Sequence, residues 1–104
     1  MAESLERALA GRNGARRGAM FGYPAFYAGG KLFACVFEDF VALKLPQDVV
    51  AALVTKPGFT PFRRMGRTMR EWVTASSERV AGFERDPSLV LRAMKFVGAR
   101  PHAK

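Results

Sequence analysis

The sequence predicts an α+β domain of two layers, an antiparallel sheet of about five strands with helices packed on one of its faces. Two patterns and one bound predict it. Apolar residues recur at helical spacing near both ends and in one short central stretch, whereas residues 20–45 and 60–74 are rich in β-favouring residues that run apolar or alternate. Glycine-centred and acidic turns punctuate those strand-like segments, which makes a three-stranded meander and a hairpin. A chain of 104 residues that is 49% apolar and 25% charged closes a single core, so residues 1–104 read as one domain.

Residues 3–10 place Leu5, Ala8 and Leu9 three and four apart, the spacing of one helical face. Gly11, Asn13, Gly14 and Gly18 then disfavour helix, because glycine is costly inside one and with asparagine favours turns. A basic loop is expected over 11–18. From Met20 the residues become aromatic and β-favouring. Pro24 donates no ladder hydrogen bond and puts the start of the first strand at an edge or a strand end. Gly29 and Gly30 supply the positive φ of a two-residue turn, so 25–28 pairs with 31–37. The second of these strands, with Phe33, Cys35 and Phe37 on one side and Leu32, Ala34 and Val36 on the other, is apolar enough for a central position. Glu38 and Asp39 mark the next turn, and 40–45 alternates, Val41, Leu43 and Leu45 one way, Ala42 and Lys44 the other.

Pro46 stands at N1 of a short helix with Asp48 in its first turn and Val49, Val50, Leu53 and Val54 on its apolar face. That helix ends before Pro57 and Gly58. Residues 60–64 and 68–74 read as two more strands turning near Gly66. The C-terminal helices occupy 76–97. Ser76 or Ser77 caps a short one to about residue 83, and Asp86-Pro87 opens the last, with Leu89, Ala93, Phe96 and Val97 as its core stripe. Val90, Leu91 and Met94 carry its apolar surface beyond that stripe, so a homodimer burying the remainder is expected.

Seventeen basic against nine acidic residues leave a formal charge of +8, which favours anionic partners such as nucleic acid. No acid occurs between Asp48 and Glu71, the interval that holds Lys56, Arg63, Arg64, Arg67 and Arg70. A second acid-free stretch holds Arg92, Lys95, Arg100 and Lys104, and Arg12, Arg16 and Arg17 form a third cluster. No apolar run approaches the roughly 20 residues of a membrane span. The N-terminal residues include acids and lack the apolar core of a signal peptide, and the single Cys35 forms no internal disulfide. A cytoplasmic location is the expectation.

Catalytic chemistry finds little to work with. Nucleophilic catalysis needs an activated nucleophile beside a base, yet the one histidine, His102, is near the C-terminus and Cys35 reads as a small core residue. Neither a metal nor a cofactor site is readable, since one cysteine and one histidine far apart make no ligand set. Glu38-Asp39 reads as a solvated turn, and the glycines of 11–18 lack the spacing of a phosphate-binding loop. Phe21, Tyr23, Tyr27 and Trp72 suit base stacking, but aromatics at strand spacing are mostly core, which leaves Tyr23 and Trp72 as surface candidates. With no recognisable nucleic-acid-binding motif, the candidate anion contacts rest on charge: Arg63, Arg64, Arg67, Arg70, Arg16 and Arg17.

Across residues 20–74, just over half the chain, Met20, Phe21, Gly22, Gly30, Lys31, Phe33, Leu43, Lys44, Pro61, Phe62, Gly66 and Met69 fall in an order that resembles the N-terminal domain of the TfoX/Sxy competence regulators. The resemblance implies a two-layer antiparallel fold and a regulatory role; TfoX/Sxy proteins are positive regulators of natural competence, regarded as acting with the cAMP receptor protein at promoters. Their second domain needs about 80 further residues with a core of its own, which this chain does not contain. The expectation is therefore a small non-enzymatic regulatory or interaction module whose basic face binds a protein partner or nucleic acid. The competing expectation is a small-molecule-binding domain or enzyme subunit with a pocket lined by Tyr23, Tyr27, Arg64 and Trp72.

Overall fold

The computed structural model describes residues 1–11 and 14–99, so Arg12, Asn13, Arg100, His102 and Lys104 lie outside the described residues. Six strands form one antiparallel sheet: β1 (Arg16–Met20), β2 (Tyr23–Ala28), β3 (Lys31–Val36), β4 (Phe40–Lys44), β5 (Phe59–Arg64) and β6 (Arg67–Ser76), in the order β1-β2-β3-β4-β6-β5. Helices α1 (Ala2–Leu9), α2 (Gln47–Leu53), α3 (Ser77–Gly82) and α4 (Ser88–Ala99) accompany it. The predicted α+β class holds, with one strand more than expected.

That strand is β1, whose first three residues lie inside the segment expected to be a basic loop. Phe21 and Gly22, at φ 52° and 82°, reverse the chain in two residues, and the register from Arg16↔Tyr27 to Met20↔Tyr23 gives the glycine-containing strand its ladder. The Tyr27 ring covers Gly18: a Cβ there would come within 3.0 Å of the ring. An aromatic laid over a strand glycine supplies the contacts that glycine lacks.

A bulge reassigns the faces of β3. Phe26 pairs with Ala34 but Tyr27 pairs with Leu32, so Phe33 is left over. Phe33 therefore joins Ala34 and Val36 in the helix-covered core, while Leu32 turns to the opposite face with Cys35 and Phe37. Strict alternation, with Phe33 beside Cys35, fails here. Along β4 it holds: Val41, Leu43 and Leu45 are all fully buried in the core cluster.

The helices bury this face. Helix α4 crosses β2, β3 and β4, α1 packs on α4 and α3, α3 lies against β4 and β6, and α2 against β5 and β6. Leu5, Phe33, Leu43, Val73, Val80 and Val90 meet there with no exposed surface, each contributing about 1.5–3 kcal/mol by burial. The stripe of α4 is rotated from the expected one: Val90, Ala93 and Val97 are fully buried, while Leu89 and Phe96 flank them half-buried. Leu91 and Met94 also pack against the core, half-buried. The Ser76 hydroxyl accepts the Arg79 amide at 3.4 Å and Asp86 Oδ1 accepts the Ser88 amide at 3.2 Å, which fixes the starts of α3 and α4. Pro46 occupies the N-cap of α2 rather than N1.

Candidate functional site

With the helices on one side, the other face of the sheet is covered, among the described residues, by its own side chains, and the strand order places β1 and β5 on opposite edges. Those edges nevertheless meet. The Arg64 guanidinium of β5 lies 5.6 Å above the ring of Phe21 in the β1–β2 turn. The sheet is therefore curled into a trough of about 250 Å³, bordered by Met20, Phe21, Phe62, Arg64, Met69 and Trp72. Its floor is made by the small residues Cys35 and Ala42, with Leu32 brought in by the β3 bulge and Phe37 beside them.

A second dislocation creates an arm. Pro61 pairs with Val73, but the next residue, Phe62, pairs with Met69, so Arg70, Glu71 and Trp72 have no partner on β5. Two of them turn instead toward β4: Lys44 pairs with Trp72 and the Leu45 amide donates to the Glu71 carbonyl at 2.9 Å. Beyond the break, 62–64 and 67–69 form a short two-stranded arm, and every residue from Arg63 to Arg70 is exposed. Its turn is Met65-Gly66, at φ 52° and 77°. Met65 is 94% exposed and Phe21, at the equivalent position of the other tip, 79%. Asparagine, aspartate or glycine normally fills that position, so two large apolar residues in left-handed conformation stand out in water.

The predicted arginines separate in space. Arg64 and Arg67 are register partners across the arm, but their side chains part. Arg64 turns over the trough, whereas Arg67 and Arg70 border a cleft of about 710 Å³ with Lys44, Gln47 and Glu71. Arg63 pairs with Thr68 and borders a groove along β5 with Asp39 and Thr60. Among the described residues, none of the recorded ion pairs involves these four arginines. Arg17 does not belong with them. It forms an ion pair with Glu6 of α1. Arg16 is exposed on the far edge strand, opposite Tyr27.

The two stacking candidates are half-buried in an aromatic layer. Tyr23 lies 5.0 Å from Phe37 between ring centroids, and Phe37 continues to Phe40 at 5.0 Å and Phe62 at 6.0 Å. Trp72 packs 6.1 Å from Phe62 with the Lys44 ammonium 5.8 Å from its ring, and Lys44 pairs with Glu71 at 3.8 Å. These rings spend their faces on one another. Of the four residues of the expected pocket, Arg64 and Trp72 line the trough and Tyr23 and Tyr27 do not.

Burial pushes the Cys35 thiol up from its ordinary pKa, with the Arg64 charge acting weakly the other way. The thiol packs as a small apolar group at the trough floor. Among the described residues, no three His, Cys, Asp or Glu side chains group to hold a metal ion, and no helix is long and apolar enough to cross a membrane. Of the motif residues, Met20, Phe21, Phe62 and Met69 line the trough while Gly22 and Gly66 form the tips on either side of it. Sequence reasoning missed Phe21 and Met65 as exposed tips; the signal was a bulky residue followed by glycine between two strand-like runs. Comparison with family models, with curated proteins and with solved structures gives no match.

Proposed function

We propose that this domain is a non-enzymatic binding module, in the arrangement of the TfoX/Sxy N-terminal domains it resembles, that holds duplex nucleic acid with the β5–β6 arm. The observation that carries this reading is the arm itself: Arg63 and Arg67 on its two strands and Arg70 at its base, none in a recorded ion pair among the described residues, with Met65 exposed at its end. A two-stranded ribbon fits a major groove about 12 Å wide, and an apolar tip is the kind of group that architectural proteins set against base steps. Arg63, Arg67 and Arg70 supply the phosphate contacts. Duplex is favoured over single strands because the aromatic layer has its ring faces already packed, leaving little for splayed bases to stack on. A binding role also suits Cys35, which is buried and near a cation rather than a base.

Fluorescence anisotropy of a labelled duplex across a salt series tests the reading. Affinity is expected to fall steeply with salt, and alanine at Arg63, Arg67 and Arg70 together is expected to flatten the logarithmic slope by roughly 2.7, about 0.9 for each phosphate no longer neutralised. No binding at low salt, or an unchanged slope in the triple variant, overturns it. Tighter binding to a single strand overturns the groove geometry.

A further inference from the structure

The trough has a composition that the nucleic-acid reading does not use. Its centre is lined by Cys35 and Ala42 where two central strands of a packed sheet could carry large residues, and its border is lined by Phe21, Phe37, Phe62, Trp72 and two methionines. The trough opens to solvent along one side and holds about 250 Å³, the share of roughly eight waters. Its only charged lining residue is Arg64, whose guanidinium rests on the Phe21 face and has no recorded ion pair among the described residues. Arg67, its register partner across the arm, borders the neighbouring cleft instead.

We propose that the trough binds a small aromatic carboxylate of about ten non-hydrogen atoms, its ring seated on Cys35 and Ala42 and its carboxylate held by Arg64. The size follows from the volume, which lies below the roughly 300–1,000 Å³ of sites for drug-sized ligands. The charge follows from Arg64, whose planar fork matches a carboxylate in two parallel hydrogen bonds. The ring follows from the border, where Phe37, Phe62 and Trp72, packed on one another at tilted angles, leave ring edges toward the trough for a flat guest. Arg64 moves from the Phe21 ring to the ligand, so binding exchanges a cation–π contact for an ion pair. This inference is independent of the nucleic-acid reading, which rests on Arg63, Arg67 and Arg70.

Calorimetric titration with phenylacetate and cinnamate tests it, with phenylacetamide and octanoate as comparisons of similar size. The acids are expected to bind with Kd between about 10 µM and 1 mM, the range that ten or so heavy atoms reach at ordinary efficiency. Arg64→Gln is expected to weaken them about tenfold or more, and phenylacetamide to bind as weakly to the wild type as phenylacetate binds to Arg64→Gln. Ala42→Leu, which fills the floor, is expected to abolish binding; if that variant does not fold, Arg64→Gln, at an exposed position, decides alone. Trp72, the one tryptophan, reports occupancy by a fluorescence change that should follow the heat. Absence of binding at about 10 mM, equal affinity for acid and amide, or undiminished binding to a folded Ala42→Leu overturns the site. Octanoate binding more tightly than the aromatic acids overturns the ligand class.

Discussion

Replacing Met65 with asparagine is expected to stabilise the protein. Met65 occupies the first central position of a two-residue turn at φ 52° and is 94% exposed, so its side chain has almost nothing to lose. The little surface it covers is worth at most about 0.3 kcal/mol at 25 cal/mol per Å². Left-handed backbone costs an ordinary residue about 1–2 kcal/mol, and asparagine avoids much of that through local hydrogen bonding. The net gain is about 0.5–1 kcal/mol, which for a domain of this size raises Tm by roughly 2–8 °C. Phe21→Asn has the same backbone gain at φ 52° but a different outcome. About a fifth of the phenylalanine is covered and Arg64 rests on its ring. Losing some 40 Å² of apolar contact and an exposed cation–π interaction costs about 1.5–2 kcal/mol, so Phe21→Asn is expected to be destabilising by about 0.5–1 kcal/mol. Thermal and urea unfolding of both variants measures the difference in sign. A fall in Tm for Met65→Asn, or equal effects at the two tips, would refute the claim that one tip is free and the other clasped across the trough.

Gly58→Ala is expected to cost about 1–3 kcal/mol in urea unfolding, clearly more than Gly66→Ala, because Gly58 combines φ 87° with a Cβ position only 2.8 Å from Arg79 Cγ, whereas at Gly66 nothing lies within 4 Å. The same change should release Arg79 from the Pro57 carbonyl that it holds at 2.8 Å. Native Cys35 is expected to resist alkylation at neutral pH and to react fully in urea; since burial raises its pKa, the stability it lends is complete below the ordinary thiol value of about 8.5 and is lost as pH rises through the higher folded value. Rapid alkylation of the folded protein would contradict its place at the trough floor. Asp86 has its pKa lowered by hydrogen bonds from Ser88, so its contribution is present above about pH 3.9 and lost as pH falls through the lower folded value; Asp86→Ala should lower Tm at neutral pH and remove that acid-side decline.

The elements that were legible in the sequence are those decided within a few residues. Leu5, Ala8 and Leu9 carry the helical spacing of α1, Ser76 and Asp86 are the observed caps, and Val41, Leu43 and Leu45 alternate as their strand does. What was not legible depends on partners far along the chain. Residues 11–18 read as loop because glycine and asparagine favour turns, and 16–18 join a strand through β2 and the Tyr27 ring over Gly18. The β3 bulge that turns Phe33 inward is set by pairing with Phe26 and Tyr27, and no local pattern distinguishes it from an unbroken strand.

The candidate site divides in the same way. Four arginines without an intervening acid until Glu71 mark the arm from sequence alone, because charge and a two-residue turn are both local signals. The trough is not local: its floor comes from β3 and β4, its lip from the β1–β2 turn, and its cation from β5 at the opposite edge. Small residues at Cys35 and Ala42 look like ordinary central-strand filling until the curl of the sheet leaves space above them. The residue that joins the two regions is Arg64, on the strands of the arm yet turned over the trough. A substitution there therefore perturbs both, whereas Arg63, Arg67 and Arg70 probe the arm and Ala42 probes the trough separately.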